Sequence, residues 1–439
     1  MAHAATRTFW SLRIIDAKEC VEAKVDVSTR LPESATLKVT PFKAHVAEEK
    51  LQHFKKLLEL SPIAPPTFEN THAGRKFGVQ RDWLANAKRV WLNDFDWRDH
   101  ENRINSFPNF KAPVEDAAGS VIDIQFLALF SERADAVPLA FLHSWPGSIC
   151  EFLDVLDLLR AKYAPKDLPY HVIVPSLPGY AYSSNIPVDA DYGVDIAAGA
   201  VRNLMHGLGF GSGYLVQGGD LGSFMARILA MSDDACRGVH LTMMGMPALE
   251  DRDSATLSDD EKRSLSRATE FVETGMGFAL EQGTRAATVG LALSSSPLAL
   301  LAWLGEKFLE WTDDDPTLEK ILESVTLYWL TDTIPRCFYH NRSVPFPYST
   351  APRVELIVSQ ITGMNAIKLP YIEKPCGYSM FADEILAVPR SWATKSCNLV
   401  TFKHHDRGGH FAAMEQPGEL LADVEEYVAK AWKTSGLIE

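Results

Sequence analysis

The chain has 439 residues and a formal net charge of −14. This negative charge argues against nucleic acid and anionic membrane surfaces as partners. The length and a hydrophobic content of 46% predict one large, well-packed α/β domain with insertions, or two domains.

Six cysteines are spread along the chain without the spacing of a metal site: Cys20, Cys150, Cys236, Cys337, Cys376 and Cys397. Several lie in apolar runs typical of buried strands, so we expect reduced thiols in a reducing compartment. Residues 1–16 lack a basic start followed by an apolar stretch, so no signal peptide is expected. These features favour a cytoplasmic protein without a metal or another cofactor.

The N-terminal quarter has little regular pattern before residue 40 and two helix-like stretches after it. Apolar residues recur at helical spacing over 48–60, and a second run covers 82–97 with three large tryptophans. The alternating segment 121–129 predicts a hairpin strand. We expect residues 1–112 to form an N-terminal extension that wraps around the core.

Short apolar strands then alternate with amphipathic helices. The predicted strands are 137–143, 171–174, 214–216 and 238–244, and the predicted helices are 151–160, 194–208 and 223–231. This alternation implies an α/β fold, with a mainly parallel sheet covered by helices on both faces. Residues 113–246 would form the first part of this core.

The pattern changes after Pro247, where residues 249–342 are helical throughout. We expect an inserted helical cap over 247–350. The second part of the core is expected over 351–439, with strands near 376–378 and 398–402 and a closing helix over 420–433.

One uncharged apolar segment, 286–305, is about as long as a bilayer requires. Its centre, however, holds three serines and Pro297, and an amphipathic stretch follows it. A turn at that place favours two packed helices over a membrane span. No membrane partner is expected.

The stretch from Tyr214 to Ala226 combines a short strand, a turn crowded with glycines and a helix. A nucleophile elbow requires this order, because small neighbours let the strand and the helix approach while the central side chain faces a cleft. The central residue is Asp220, whose carboxylate can attack an electrophilic carbon and form an ester. The alternative is a glycine turn in which Asp220 only caps the helix.

An ester of this kind needs a base for its hydrolysis. His410 is the candidate, because it follows the last predicted strand directly after two glycines. Asp383 or Glu384 can orient the histidine, and the residues alone do not separate the two. Two backbone N–H groups, of Trp145 and Leu221, are placed by topology to form an oxyanion hole. The alternative roles are a structural histidine and a carboxylate at a helix start.

Six motifs occur along the chain: HSWPGS, PSLPGYAYS, GGDLGS, LYWLTDTIPR, PRSW and GGHFAAMEQP. Together with DFDWRDHENRINSFPNF near the N-terminus, they resemble the microsomal-type epoxide hydrolases, in particular the soluble fungal members. The resemblance covers about 41–433. It implies an α/β-hydrolase fold with a helical cap, and it implies that the membrane-anchor helix of the animal enzymes is missing.

By position, the resemblance implies that Asp220 is the nucleophile and His410 the base. Trp145 and Leu221 match the oxyanion-hole positions. Glu384 matches the acid, because it is the fourth residue of the family pattern F-P-x-(D/E), which here is FADE.

The chain departs from the family at the cap. Members of the family use two cap tyrosines to hydrogen-bond and protonate the epoxide oxygen, and here Phe278 and Asn341 stand at those positions. Tyr339 is two residues away, about 200° around a helix, and is therefore expected to point elsewhere unless the segment is irregular. Ser144 also adds a side chain where the family has glycine.

Three hypotheses remain. The protein hydrolyses an epoxide with a changed set of donors, from Tyr339, the Asn341 amide or the substrate. Alternatively, it uses Asp220 and His410 as acid and base for cyclisation, isomerisation or elimination in fungal-type secondary metabolism. The third hypothesis is a binder without catalytic activity, against which the retained Asp220, Glu384 and His410 argue. In each case we expect a bulky apolar small molecule as ligand. Nothing in the sequence decides between a monomer and a homodimer.

Overall fold

A computed structural model of the chain describes residues 31–244, 257–343 and 370–434. The strands in these ranges form one sheet: β1 Thr40–Pro41, β2 Asn109–Glu115, β3 Val121–Leu129, β4 Val137–Leu142, β5 Tyr170–Pro175, β6 Tyr214–Gly218, β7 Cys236–Leu241, β8 Ile372–Asp383 and β9 Cys397–Gly409. Their spatial order is β1-β2-β3-β5-β4-β6-β7-β8-β9. The pairs from β1 to β5 are antiparallel, and those from β5 through β4 to β9 are parallel.

The central strands of the parallel part of the sheet, β4 and β6, are buried at every position. β9, at the edge of the sheet, is partly exposed. A strand covered by helices on both faces is apolar without alternation, which is the pattern that predicted β4. β3, by contrast, begins with alternating exposed and buried residues. The predicted mainly parallel α/β fold is confirmed.

The N-terminal part contains four helices from residue 31 onward: α1 Glu48–Leu60, α2 Phe68–Thr71, α3 Arg81–Asn93 and α4 Trp97–Asn105. α1 has the predicted bounds. The prediction of one helical run over 82–97 is wrong, because α3 ends at Asn93. Asp96, in an extended conformation, then caps α4 by accepting a hydrogen bond from the Arg98 N–H.

Three helices follow in the first part of the core: α5 Leu153–Lys162, α6 Val194–Met205 and α7 Asp220–Ser232. The helix predicted over 194–208 is α-helical only as far as Met205, three residues short of the prediction. A π-helical turn over His206–Phe210 follows it, in which Gly209 has a φ of 95°. The strand predicted over 238–244 also ends early, at Leu241.

The cap contributes five helices in the described residues: α8 Asp259–Thr274, α9 Gly277–Leu293, α10 Pro297–Glu310, α11 Leu318–Leu330 and α12 Tyr339–Ser343. The two helices predicted within 286–305 are confirmed as parts of α9 and α10, and Ser296 caps α10 by accepting from the Ala299 N–H. No helix in the described ranges combines the length and apolarity needed to cross a membrane. The predicted helical residues 249–256 and the extension over 1–30 lie outside the described residues.

Residues 370–434 contain three helices: α13 Arg390–Ala393, α14 Ala412–Glu415 and α15 Pro417–Thr434. The closing helix predicted over 420–433 lies within α15. The five cysteines of the described residues are free thiols, as predicted. In the parallel part of the sheet, all strands end at the same edge, so the loops after β4, β6, β8 and β9 meet there.

Candidate active site

Asp220 lies at the turn between β6 and α7 in a strained backbone conformation. Its φ is 46°, in the left-handed region that few residues other than glycine adopt. A Cβ at Gly222 would lie 2.1 Å from the Leu142 carbonyl oxygen, and one at Gly218 would lie 2.3 Å from the Gly222 carbonyl oxygen. Glycine is therefore required at both positions, because the start of α7 approaches the ends of β4 and β6 so closely.

The Asp220 carboxylate faces the loop after β4. Its Oδ1 accepts a hydrogen bond from the Trp145 N–H at 2.7 Å. The Leu221 N–H is a second donor at this edge, because the second residue of a helix has no carbonyl partner within that helix. Of the two residues predicted for an oxyanion hole, Trp145 is thus bonded to Asp220 and Leu221 is next to it in the chain.

His410 follows β9 and its side chain is fully buried. Its Nδ1 lies 2.9 and 3.1 Å from the two carboxylate oxygens of Glu384, and because a carboxylate only accepts, Nδ1 carries a proton. Nε2 lies 3.7 Å from Asp220 Oδ2, and it has no hydrogen-bond partner among the described residues. Asp383 instead lies 3.4 Å from Arg267. The structure therefore brings Glu384, rather than Asp383, to His410 and Asp220.

The charges around His410 favour its protonated form. Burial lowers the pKa of this imidazole, but the charge and hydrogen bond of Glu384, together with the charges of Asp220 and Glu151, outweigh burial and raise the pKa to about 9. A reaction that neutralises Asp220 removes one of the charges that hold this proton. The imidazole can then act as a base.

Glu151 is a buried carboxylate near the site that the sequence analysis did not single out. It accepts hydrogen bonds from the Ser144 N–H and hydroxyl, at 3.2 Å each. Burial raises the pKa of Glu151 to about 8, although these bonds and the His410 charge lower it. The only sequence signal was the serine that replaces glycine in HSWPGS, because the burial of Glu151 depends on the elements packed around it.

Phe278, on α9, packs against aromatic rings. It stacks on Trp145, with ring centroids 5.2 Å apart and an interplanar angle of 12°, and its centroid lies 5.1 Å from that of Trp311. The buried Lys307 ammonium lies 4.9 Å from the Phe278 ring centroid. These rings form an apolar wall beside the Asp220 loop.

Asn341 and Tyr339, both on α12, make their contacts within or near the cap. Asn341 Nδ2 donates a hydrogen bond to Gln282 Oε1. Tyr339 is buried, and its ring packs edge-on against Tyr180 and Tyr192, at centroid distances of 6.3 and 5.4 Å. The amide at the second cap position is therefore already engaged by another side chain.

His340, between these two residues, is a further site residue that the sequence analysis missed. Its ring lies 5.6 Å from the Trp145 ring, centroid to centroid. A histidine in a short helix has no sequence signal for such a contact, since only the packing of the cap onto the core decides which side chain faces Trp145.

Among the described residues, the side chains around Asp220 do not form a group that could share a metal ion. In the described ranges, Asp260, His404 and Asp406 have ligand atoms close enough to hold an ion together. None of these residues belongs to the group around Asp220, and exposed acidic clusters are common without an ion. The site around Asp220 has instead the composition for nucleophilic attack by a carboxylate, followed by activation of water by an imidazole.

Comparisons with known proteins agree with this composition. Residues 39–152 match the family model described as epoxide hydrolase N terminus, and residues 137–282 match that of the alpha/beta hydrolase fold. The Aspergillus niger epoxide hydrolase structure is similar at 45% identity and a TM-score of 0.83, over 92% of this chain and 99% of that one. A Dothistroma septosporum protein named as a provisional epoxide hydrolase is 47% identical over 408 residues, 92% of this chain and 93% of its own. Pig (Sus scrofa) epoxide hydrolase 1 is 28% identical over 428 residues, 89% of this chain and 88% of its own.

Proposed function

The chain belongs to the epoxide hydrolase family and has the α/β-hydrolase fold, and on this premise we propose that it hydrolyses epoxides through an ester of Asp220. One observation carries the proposal: Asp220 stands at the strained elbow, with Oδ1 bound by the Trp145 N–H and Oδ2 3.7 Å from His410 Nε2. A carboxylate in this position can attack with one oxygen while the other stays bound to a backbone donor.

In the first step, Asp220 Oδ2 attacks an epoxide carbon and the carbon–oxygen bond of the ring breaks. The electron pair remains on the epoxide oxygen, which takes a proton from a donor in the cap. The product is a hydroxyalkyl ester. Its carbonyl oxygen is Oδ1, which still accepts the hydrogen bond from the Trp145 N–H.

In the second step, the neutral ester no longer holds the proton on His410, so the pKa of that imidazole falls. The Nε2 proton passes to solvent, Nε2 becomes a base, and the proton is taken up again when Asp220 regains its charge. As the base, Nε2 removes a proton from water, and the hydroxide attacks the ester carbonyl. The N–H groups of Trp145 and Leu221 stabilise the oxyanion on Oδ1. The diol oxygen leaves with the proton from His410, while Glu384 holds the Nδ1 proton throughout.

The proposed substrate is apolar. Phe278, Trp145 and Trp311 line one side of the site with aromatic rings, and such walls bind apolar ligand surface. We propose no cofactor, because Asp220, His410 and water supply every bond-forming group that the reaction needs.

A single turnover in H₂¹⁸O tests the ester directly. Excess enzyme is mixed with styrene oxide, and the peptide that contains Asp220 is analysed by mass spectrometry. Because water attacks the ester carbonyl, we expect one ¹⁸O in the Asp220 carboxylate and none in the first diol formed. Label in the diol alone would show direct attack by water, and the absence of any diol from a series of epoxides would overturn the proposed function.

A second candidate function is supported by the cap. Neither Phe278 nor Asn341 has a hydroxyl, and the Asn341 amide is bound to Gln282. An enzyme that has lost the usual ring-opening donors can use Asp220 and His410 for proton transfer in a cyclisation, isomerisation or elimination. In that case, the same labelling experiment gives product without ¹⁸O in Asp220.

We expect Glu384→Gln to reduce kcat for epoxide hydrolysis by about 10⁴-fold, because loss of the carboxylate favours the wrong tautomer of His410. Asp383→Asn is the matched control: it lies next to Glu384 in the chain but contacts Arg267, so kcat should change little. Steady-state kinetics of the two variants provide the measurement. The reverse ranking would show that Asp383 has the role of the acid.

Restoring two tyrosines in the cap should raise the rate of ring opening. We expect Phe278→Tyr with Asn341→Tyr to increase kcat/KM for styrene oxide by about 10²-fold or more, well beyond either single change, because two donors to one oxygen act as a unit. The double change also breaks the bond to the buried Gln282, which costs about 1–3 kcal/mol of stability. Thermal denaturation measures that loss.

Phe77→Tyr, at an exposed position, is the control for the added hydroxyl. If the chain has been adapted to another reaction, the double variant should lose that reaction while it gains epoxide hydrolysis. A double variant without any gain, together with loss of turnover in Tyr339→Phe, would show that Tyr339 already serves as the donor.

A further inference from the structure

Three consecutive side chains of α12 lie near the cap position at which the family has a donor, and they face different surroundings. On a helix, successive side chains leave the axis about 100° apart. Tyr339 packs against Tyr180, and Asn341 is bound to Gln282. His340 is the one of the three with a ring contact to Trp145, the residue whose N–H holds Asp220.

The hydrogen bonds of His340 define what its ring can do. Nδ1 lies 2.7 Å from the Cys337 carbonyl oxygen, and because a carbonyl only accepts, Nδ1 carries a proton and donates it. The Tyr180 hydroxyl donates to the same carbonyl at 3.2 Å. The two ring nitrogens point to nearly opposite sides, so Nε2 is directed away from Cys337. When the ring is protonated, Nε2 is a hydrogen-bond donor.

We propose that His340 is the acid of ring opening, and this inference rests on the proposed epoxide hydrolysis. As Asp220 Oδ2 forms its bond to the epoxide carbon, the ring carbon–oxygen bond breaks, and the proton on His340 Nε2 passes to the epoxide oxygen. His340 becomes a neutral imidazole and Asp220 becomes a neutral ester. When the ester is hydrolysed, Asp220 is left with a proton that returns to His340 through solvent, so that the net reaction is epoxide plus water to diol.

The surroundings of His340 determine when it carries the proton. The charge of Asp220, at the start of α7, acts on His340. The titratable groups next to the ring are the Tyr180 hydroxyl from the loop after β5, 3.4 Å from Nδ1, and Cys337 and Tyr339 from its own segment. Burial raises the pKa of the Cys337 thiol to about 12 and raises the pKa values of both tyrosines well above their usual value, so these groups are neutral at pH 7. Asp220 is therefore the negatively charged group among them.

Burial lowers the pKa of His340, and the negative charge of Asp220 opposes this effect. The acid is the protonated form, which is lost as the pH rises through this lowered pKa. Ester formation should therefore be fastest at mildly acidic pH, where His340 is protonated. At higher pH it should slow by up to tenfold per pH unit. A tyrosine donor would give no such fall below about pH 9, because its own pKa is near 10.

Ester formation can be measured by itself in a His410→Gln background, in which the ester is not hydrolysed. The protein is mixed with styrene oxide between pH 5 and pH 9, and the fraction of chains that carry one adduct is followed with time by intact mass. We expect the rate to fall with pH when His340 is present. Adding His340→Gln should lower the rate at pH 6 by about 10²-fold and remove the pH dependence.

His53→Gln, an exposed histidine on α1, is the matched control and should leave rate and pH profile unchanged. Thermal denaturation checks the folding of His340→Gln, and the pH profile of the His340-containing protein tests the inference without any change at that position. A flat profile between pH 5 and pH 8, or the same rate and profile after His340→Gln, would overturn the role of His340 while the ester mechanism stands. Complete absence of adduct with His340 intact, together with no diol from any epoxide in the unchanged protein, would instead overturn the proposed function.

Discussion

Asp220→Asn is expected to reduce epoxide turnover by about 10⁴-fold or more, because a neutral amide cannot attack the epoxide carbon. The fold should survive the change. Asparagine is one of the few residues that adopt the left-handed conformation readily, and the φ of Asp220 is 46°. The amide oxygen can also still accept the hydrogen bond from the Trp145 N–H. Diol formation from styrene oxide, followed by chromatography, measures the loss.

Asp189→Asn is the matched control, since it removes the same charge from an exposed residue outside the site. Its kcat should remain within about twofold of the unchanged protein, as for most surface substitutions. Turnover retained in Asp220→Asn, at unchanged thermal stability, would exclude the covalent mechanism. A base-only role of Asp220 would still predict a loss, and the ¹⁸O experiment separates that role from the covalent one.

His410→Gln is expected to stop the reaction after its first step. In the proposed mechanism, ring opening requires Asp220 and a cap donor, whereas hydrolysis of the ester requires the Nε2 base. We therefore expect turnover to fall by about 10²–10⁴-fold, while one substrate molecule per chain accumulates as an adduct on Asp220. Intact mass gives the stoichiometry, and peptide mapping gives the site.

The free energy of unfolding of the His410→Gln variant is expected to fall, because the buried Glu384 carboxylate loses its partner. His410 is the partner of Glu384, and removal of one partner of a buried charged pair costs about 3–5 kcal/mol. His410→Gln combined with Glu384→Gln removes both charges and should recover stability while it still accumulates the adduct. Loss of turnover without an adduct in both variants would show that His410 acts before the ester forms.

Much of the fold was predictable because its signals are local. The apolar run of β4 reflects burial of both faces of a parallel strand, and the bounds of α1 follow from helical spacing and the proline that comes after it. The predicted boundaries were wrong where a short break interrupts a helical pattern. Residues 94–96 separate α3 from α4, and Gly209 lies in a π-helical turn after α6, although the apolar spacing continues through both places.

The residues of the candidate site also differ in whether a local sequence pattern could identify them. The sequence by itself determined Asp220 as the centre of the elbow, because the glycines that permit its φ surround it within a few residues. It also determined that His410 follows a strand. The sequence motif favoured Glu384 over Asp383, but only the tertiary structure shows which carboxylate reaches His410, because neighbouring side chains at a strand end point in different directions.

Only the tertiary structure decided which side chain of α12 contacts Trp145. The residues of α12 are adjacent in sequence, and their helical spacing separates them without showing which one contacts the core. The packing of the cap against Trp145 selects His340 and leaves Asn341 bound to Gln282. The burial of Glu151 against Ser144 likewise depends on elements that are distant in the chain. Local sequence patterns determine strands, turns and caps. Which side chain of the cap contacts the core depends on long-range packing, and no local pattern contains that information.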